Sequence, residues 1–162
     1  MQAKRETPDP RFMRRAIREA RKNIARRDGG PFGACIVRNG EVVAAARNTV
    51  LISDATSHAE VNAIRLASKK LGTYDLSGCE IYSTTEPCPM CFGAIHWARI
   101  GRVYYGTAIR DAARAGFHEL AISNRTIKTL GRSRIVLVPG FLRDECLALF
   151  EAWSALPDKT SY

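Results

Sequence analysis

Two short stretches carry side chains that can do chemistry: "HAEVNAI" beginning at His58 and "TEPCPMC" ending at Cys91. His58, Cys88 and Cys91 together make one imidazole and two thiolates, three protein ligands of the kind zinc takes. A catalytic zinc needs three protein ligands and an open fourth position for water, whereas a closed structural site needs a fourth Cys or His, and none stands nearby in sequence. Cys88 and Cys91 alone would also suit a thiol oxidoreductase, but that chemistry has no use for His58. Glu60, two residues beyond His58, can reach the open position if both sit in the first turn of one helix. A metal held by two thiolates is formally neutralised and acidifies its water less than a three-histidine site does. An adjacent carboxylate must then help remove the proton, which is the role Glu60 suits. Such a set fits attack of an activated water on an electron-poor sp² carbon and departure of an amine as ammonia, with no organic cofactor. His96 and His118 are the remaining histidines, and neither belongs to a ligand pattern.

The elements that must position these groups are legible in outline. "RFMRRAIREARKNIARR" predicts a helix from Pro10 to Arg27, with Phe12, Met13, Ala16, Ile17, Ala20 and Ile24 on the inward stripe and the arginines outward. Asn39-Gly40 predicts a hairpin between two β-rich runs. A helix from His58 to Lys70 precedes a buried strand at "CEIYSTT", and a helix opened by Pro89 precedes a strand at "RVYYGTA". In residues 107–133 one short helix is expected, Ile122 to Leu130. "RIVLVPG" is read as the last strand and "LRDECLALFEAWSAL" as the last helix. The strand and helix alternation in the second half predicts a three-layer α/β/α domain over residues 1–162, with a central mixed sheet of about five strands.

Composition narrows the function classes. A chain of 162 residues, 46% hydrophobic and 25% charged, has ordinary globular composition. No apolar leader and no run of about 18 apolar residues occurs, so no membrane association and a cytoplasmic location are expected. Five cysteines at scattered positions do not suggest a disulfide framework. The net charge of +9 is concentrated at the front, where ten Lys or Arg, Lys4 and Arg5 among them, face four acids in residues 1–30. A solvated helix face accounts for that excess more simply than an RNA footprint does. A zinc-structured RNA-binding module would use the same charge, but it would not need Glu60 beside an open metal position.

The joint pattern H-x-E followed by P-C-x-x-C is the known signature of zinc-dependent nucleobase deaminases, so this match is recognition of a signature and not a deduction from periodicity. Over essentially the whole chain the sequence resembles the cytidine and deoxycytidylate deaminase superfamily. That resemblance implies the cytidine deaminase-like fold, one Zn²⁺ per chain on His58, Cys88 and Cys91, Glu60 as proton shuttle, and the Ala59 backbone N–H as a donor to the activated water. Within the superfamily, "GGPFGACIVRNGEVVAAARN", "EPCPMCFGAIHWAR", "DAARAGFHE" and the terminal "KTSY" resemble bacterial guanine deaminase, while "GFLRDECLALF" resembles the last helix of tRNA adenosine deaminases. The first likeness implies deamination of guanine to xanthine. It casts Asn48 as a contact to the purine, Phe32 and Trp97 as aromatic walls, Glu119 as a second acid engaged with the substrate, and Tyr162 as a terminal lid. It further implies a homodimer, in which the C-terminal segment is exchanged between subunits in some arrangements. His118 departs from the guanine deaminase pattern and is placed to draw Glu119 into a salt bridge. Adenosine at the tRNA wobble position, cytosine or cytidine, and guanosine are the alternative substrates.

Overall fold

The computed structural model describes residues 7–162, and Lys4, Arg5 and Glu6 of the basic N-terminal count lie outside them. Helix α1 (Pro10–Arg26) opens where the Asp9 side chain accepts the Arg11 N–H at 2.9 Å, with proline at the first helical position. It closes at Arg27, whose φ of 57° stops the helix one residue earlier than the sequence suggests. The expected apolar stripe is buried, apart from Ile24, which is half-buried. Two polar residues accompany it. Glu19 is held by Arg15 and Lys22, which occupies part of the basic face in internal pairing. The Asn23 amide donates to the carbonyls of Gly30 and Asn48, 2.8 Å each, and so ties the segment after α1 to the end of the second strand.

Strands β1 (Gly33–Arg38) and β2 (Glu41–Arg47) form the expected hairpin, with Asn39 and Gly40 at φ 53° and 75°, the left-handed pair a type I′ turn needs. A register shift between Ile36 and Val37 leaves Val43 as an extra residue in β2. A 3₁₀ turn at Val50–Ile52 leads toward α2 (Ala59–Leu71). Then come β3 (Cys79–Thr85), α3 (Pro89–Trp97) and β4 (Arg102–Thr107). The polar stretch that follows holds two helices where one was expected: α4 (Ile109–Arg114) and α5 (Asn124–Leu130). At six residues α4 is too short to show a helical period. β5 (Val136–Pro139) and α6 (Arg143–Ser154) complete the chain.

The strand order is β2-β1-β3-β4-β5, antiparallel through β1 and parallel among β3, β4 and β5, so the sheet is mixed and five-stranded as predicted. Alternation assigns its two faces. Ala34, Ile36, Ile81, Val103 and Tyr105 pack in one cluster with residues of α2 and α3, and Ile127 of α5 packs against it. Cys35, Val37, Tyr82 and Tyr104 cluster with α1 and α6. The result is the three-layer α/β/α architecture. Among the described residues no helix is long and apolar enough to cross a membrane.

Candidate metal centre and active site

His58 and Cys88 are the N-cap residues of α2 and α3, both with extended backbone, and neither side chain caps its own helix. Each is therefore free to point away from its helix toward the other. Pro89 starts α3 without losing a hydrogen bond, and three residues after the cap the helical turn brings Cys91 to the same side as Cys88. His58 Nδ1 lies 3.6 Å from Cys88 Sγ, and the ligand atoms of His58, Cys88 and Cys91 all lie within 4.8 Å of one another. Tetrahedral zinc with Zn–S of ~2.3 Å and Zn–N of ~2.05 Å sets its N and S ligands about 3.6 Å apart, so the separation fits that ion. The two helix N-termini add positive dipole ends, which favour anionic sulfur.

Hydrogen bonding divides the charge unequally between the two sulfurs. The bond to Cys91 and then the bond to His58 draw the Cys88 thiol down to about 4, against burial. The same bond and burial push Cys91 well above the usual thiol range. The pair shares one negative charge unless a cation lies between the sulfurs, which is what a divalent ion supplies. Burial works against protonation of His58, but the Cys88 bond and the charge of Glu60 outweigh it and raise the ring's pKa.

Glu60 lies in the first turn of α2, buried beside the ligands. Ser83 Oγ stands 2.8 Å from its Oε1, and Cys91 Sγ lies 3.4 Å from Oε2. Burial first, then the Cys88 charge, raises its pKa, with His58 partly offsetting them. A buried carboxyl whose pKa is raised, beside a metal position, is suited to accept and return a proton. Ala59 is the first residue of α2, where a backbone N–H has no acceptor inside the helix.

A cleft over the cluster is lined by Phe32, Asn48, Glu119 and Tyr162 together with His58, Glu60 and Cys88, so four of the five expected substrate residues converge there. Trp97 does not. It ends α3, nine residues and ~13 Å along the helix from Cys88, and is 80% exposed with its ring edge-on to His96. The resemblance to guanine deaminase cast it as a pocket wall, but the length of α3 carries it away from the cleft of this chain. His96 and His118 are exposed and stand outside the ligand cluster.

The cleft residues are held from behind. Phe32 packs edge-on against Phe117 and Phe150, at 4.8 and 5.8 Å between ring centroids. A Cβ at Gly30 would stand 2.5 Å from the Phe32 ring and 2.7 Å from that of Phe117, so this cluster requires a glycine. Asn48 is fully buried, its Oδ1 accepting the Val50 N–H at 3.0 Å. Tyr162 Oη accepts the Gly30 N–H at 2.9 Å, and the Tyr162 carbonyl accepts the His118 N–H at 2.8 Å. These two bonds hold Tyr162 at the edge of the cleft. Burial and then the Cys88 charge raise Glu119 to about 7. Among the described residues no ion pair joins it to His118, which engages Tyr162 through its backbone.

Ser83 and Glu86 are among the residues at the site that went unread in the sequence. Ser83 lies on the face of β3 that carries Ile81 toward α2 and α3, and a polar residue at that parity in an apolar strand was the available signal. Glu86 had none. Its two oxygens accept the N–H groups of Ile109 and Asn124, at 3.1 and 2.8 Å, anchoring the starts of α4 and α5 beside the cleft.

Comparison with known proteins follows the same lines. Residues 6–107 match the family model described as the cytidine and deoxycytidylate deaminase zinc-binding region. The guanine deaminase of Bacillus subtilis is 42% identical over 152 residues, covering 93% of this chain and 97% of that protein. The tRNA-specific adenosine deaminase of the same organism is 35% identical over 148 residues, covering 91% and 89%. A solved guanine deaminase from Nitrosomonas europaea superposes with a TM-score of 0.83 at 33% identity, over 94% of this chain and 88% of that one.

Proposed function

The chain belongs to the cytidine and deoxycytidylate deaminase family of zinc-dependent aminohydrolases, and from that premise we propose that its substrate is guanine, converted with water to xanthine and ammonia. His58, Cys88 and Cys91 would hold a zinc ion, which would supply a Lewis acid that lowers the pKa of the attacking water. Glu60 takes the proton of the attacking water, returns it to a ring nitrogen, and assists the leaving amine, while the Ser83 hydroxyl at 2.8 Å fixes the orientation of its carboxyl group. Phe32 offers an apolar face to the ring, and Asn48 a polar contact at its edge.

The observation that carries the choice of base is Glu119, a half-buried carboxyl on the cleft wall that also holds Glu60. Guanine presents an exocyclic amine and an adjacent ring N–H, two donors that one carboxylate accepts together; cytosine cannot present the same pair. Glu119→Gln is expected to lower kcat/KM for guanine by roughly 10²-fold while zinc content and unfolding midpoint stay unchanged. Steady-state kinetics with guanine, guanosine, cytidine, adenosine and tRNA tests this directly. A second reading, adenosine in tRNA, is supported by the tRNA-specific relative. Inosine formed in tRNA with no turnover of guanine would replace the guanine reading with that one.

A further inference from the structure

A second cavity, of ≈ 510 Å³, adjoins the base cleft and shares Glu86 and Glu119 with it. It runs outward along α4, and its charged lining beyond those two acids is Arg110 and Arg114. These residues stand one turn apart on the exposed side of α4, while Ile109, Asp111 and Ala112 are buried on the other. The helix is fixed in that orientation. Asp111 accepts from the Arg143 guanidinium at 2.7 and 3.0 Å and from the Ala108 N–H at 2.7 Å, and Glu86 accepts the Ile109 N–H. Among the described residues neither Arg110 nor Arg114 makes an ion pair. Glu86 accepts one backbone N–H on each of its two oxygens, from Ile109 and Asn124.

Two guanidinium forks on a rigid helix, at the mouth of a cleft that takes a purine, match a phosphate ester attached to that purine. We propose that this vestibule binds the phosphate of a purine nucleotide through Arg110 and Arg114 while the base occupies the cleft beside Glu119. The proposal rests on the purine reading of the cleft, and it adds a ligand class, purine nucleotides, that a pocket for a free base does not require.

The test uses the zinc-loaded protein and the variant R110A/R114A. Guanosine, guanosine 5′-monophosphate and a short single-stranded RNA containing guanosine are each measured as inhibitors of guanine deamination, and by calorimetric titration. The monophosphate is expected to bind at least about 10-fold more tightly than guanosine at low salt. In R110A/R114A or at high salt that advantage disappears, because exposed cations are screened, while kcat and KM for guanine stay within twofold. Should the double variant unfold at a lower denaturant concentration, the single variants R110A and R114A are each expected to lose part of the advantage. Tighter binding of the monophosphate than of the RNA identifies free nucleotides as the source of the phosphate; the reverse identifies a strand. Equal affinity of guanosine and its monophosphate in the wild type, or a phosphate advantage that survives in R110A/R114A, overturns the proposal. If guanine is not turned over at all, the purine-base reading fails by itself, and the calorimetric comparison of guanosine with its monophosphate still decides for or against the phosphate site.

Discussion

Replacing Glu60 with Gln isolates proton transfer from everything else the residue does. The amide keeps the length and shape of the side chain, and its oxygen can still accept from Ser83, now 2.8 Å from Oε1. What disappears is the capacity to take a proton. General acid–base catalysis contributes typically 10²–10⁴-fold, so kcat should fall by at least about 10²-fold, equivalent to roughly 3 kcal/mol or more in the barrier. Stability should move little and in the opposite direction. The carboxyl is 6% exposed and its pKa is raised chiefly by burial, so a neutral amide removes a desolvation cost. A change between zero and about 1 kcal/mol of added stability is expected. Xanthine formation followed by absorbance, zinc by elemental analysis, and urea unfolding on the same preparation separate the three quantities. A variant with kcat within threefold of wild type would move proton transfer to another group, with Glu119 the first candidate. Loss of zinc together with activity would instead make Glu60 part of the metal's own coordination, and the three-ligand reading would fail.

Purified protein is expected to carry one zinc per chain, and Cys88→Ser or His58→Ala should bring this well below half an equivalent; full zinc retention in either variant would contradict the ligand assignment. The Arg143 bond holds Asp111 down to about 2 from 3.8, so the pair stabilises the fold above about pH 4 and ceases to do so as pH falls toward 2. Discounted for the partial exposure of Arg143, Arg143→Ala should cost about 1–2 kcal/mol in urea unfolding at pH 7, about half of that near pH 3 and little near pH 2; a pH-independent difference would show that charge is not its cause. At Gly33 an added Cβ would stand 2.0 Å from the Ala16 carbonyl oxygen and 2.8 Å from the Ala20 nitrogen, both backbone atoms of α1. Gly33→Ala should therefore lower stability by about 2 kcal/mol, and an unchanged unfolding midpoint would refute the close packing of α1 on β1.

The features readable from sequence were those encoded within a few residues. Helix geometry alone sets Cys91 beside Cys88 and Glu60 in the turn that follows His58, and the Asn39-Gly40 turn needs only two left-handed residues. Alternating strands and helices likewise implied the layered sheet, because an apolar strand must be covered on both faces. The bond of Tyr162 to Gly30 joins residues 132 apart, and that of Ser83 to Glu60 joins residues 23 apart on different layers. Neither follows from local spacing. Glu86 bridges two helix starts that are adjacent only because β3 and β4 pair in parallel and α5 returns beside α3. Trp97 shows the converse: a large aromatic next to a signature motif has the composition of a pocket wall, yet α3 runs long enough to leave it in solvent. Sequence alone determined which atoms can bind zinc and move a proton, since ligand chemistry and helical spacing are properties of short segments. Which surfaces enclose the substrate was decided only by tertiary packing, because a cleft forms from residues distant in the chain, and their convergence depends on how sheet and helices bury one another.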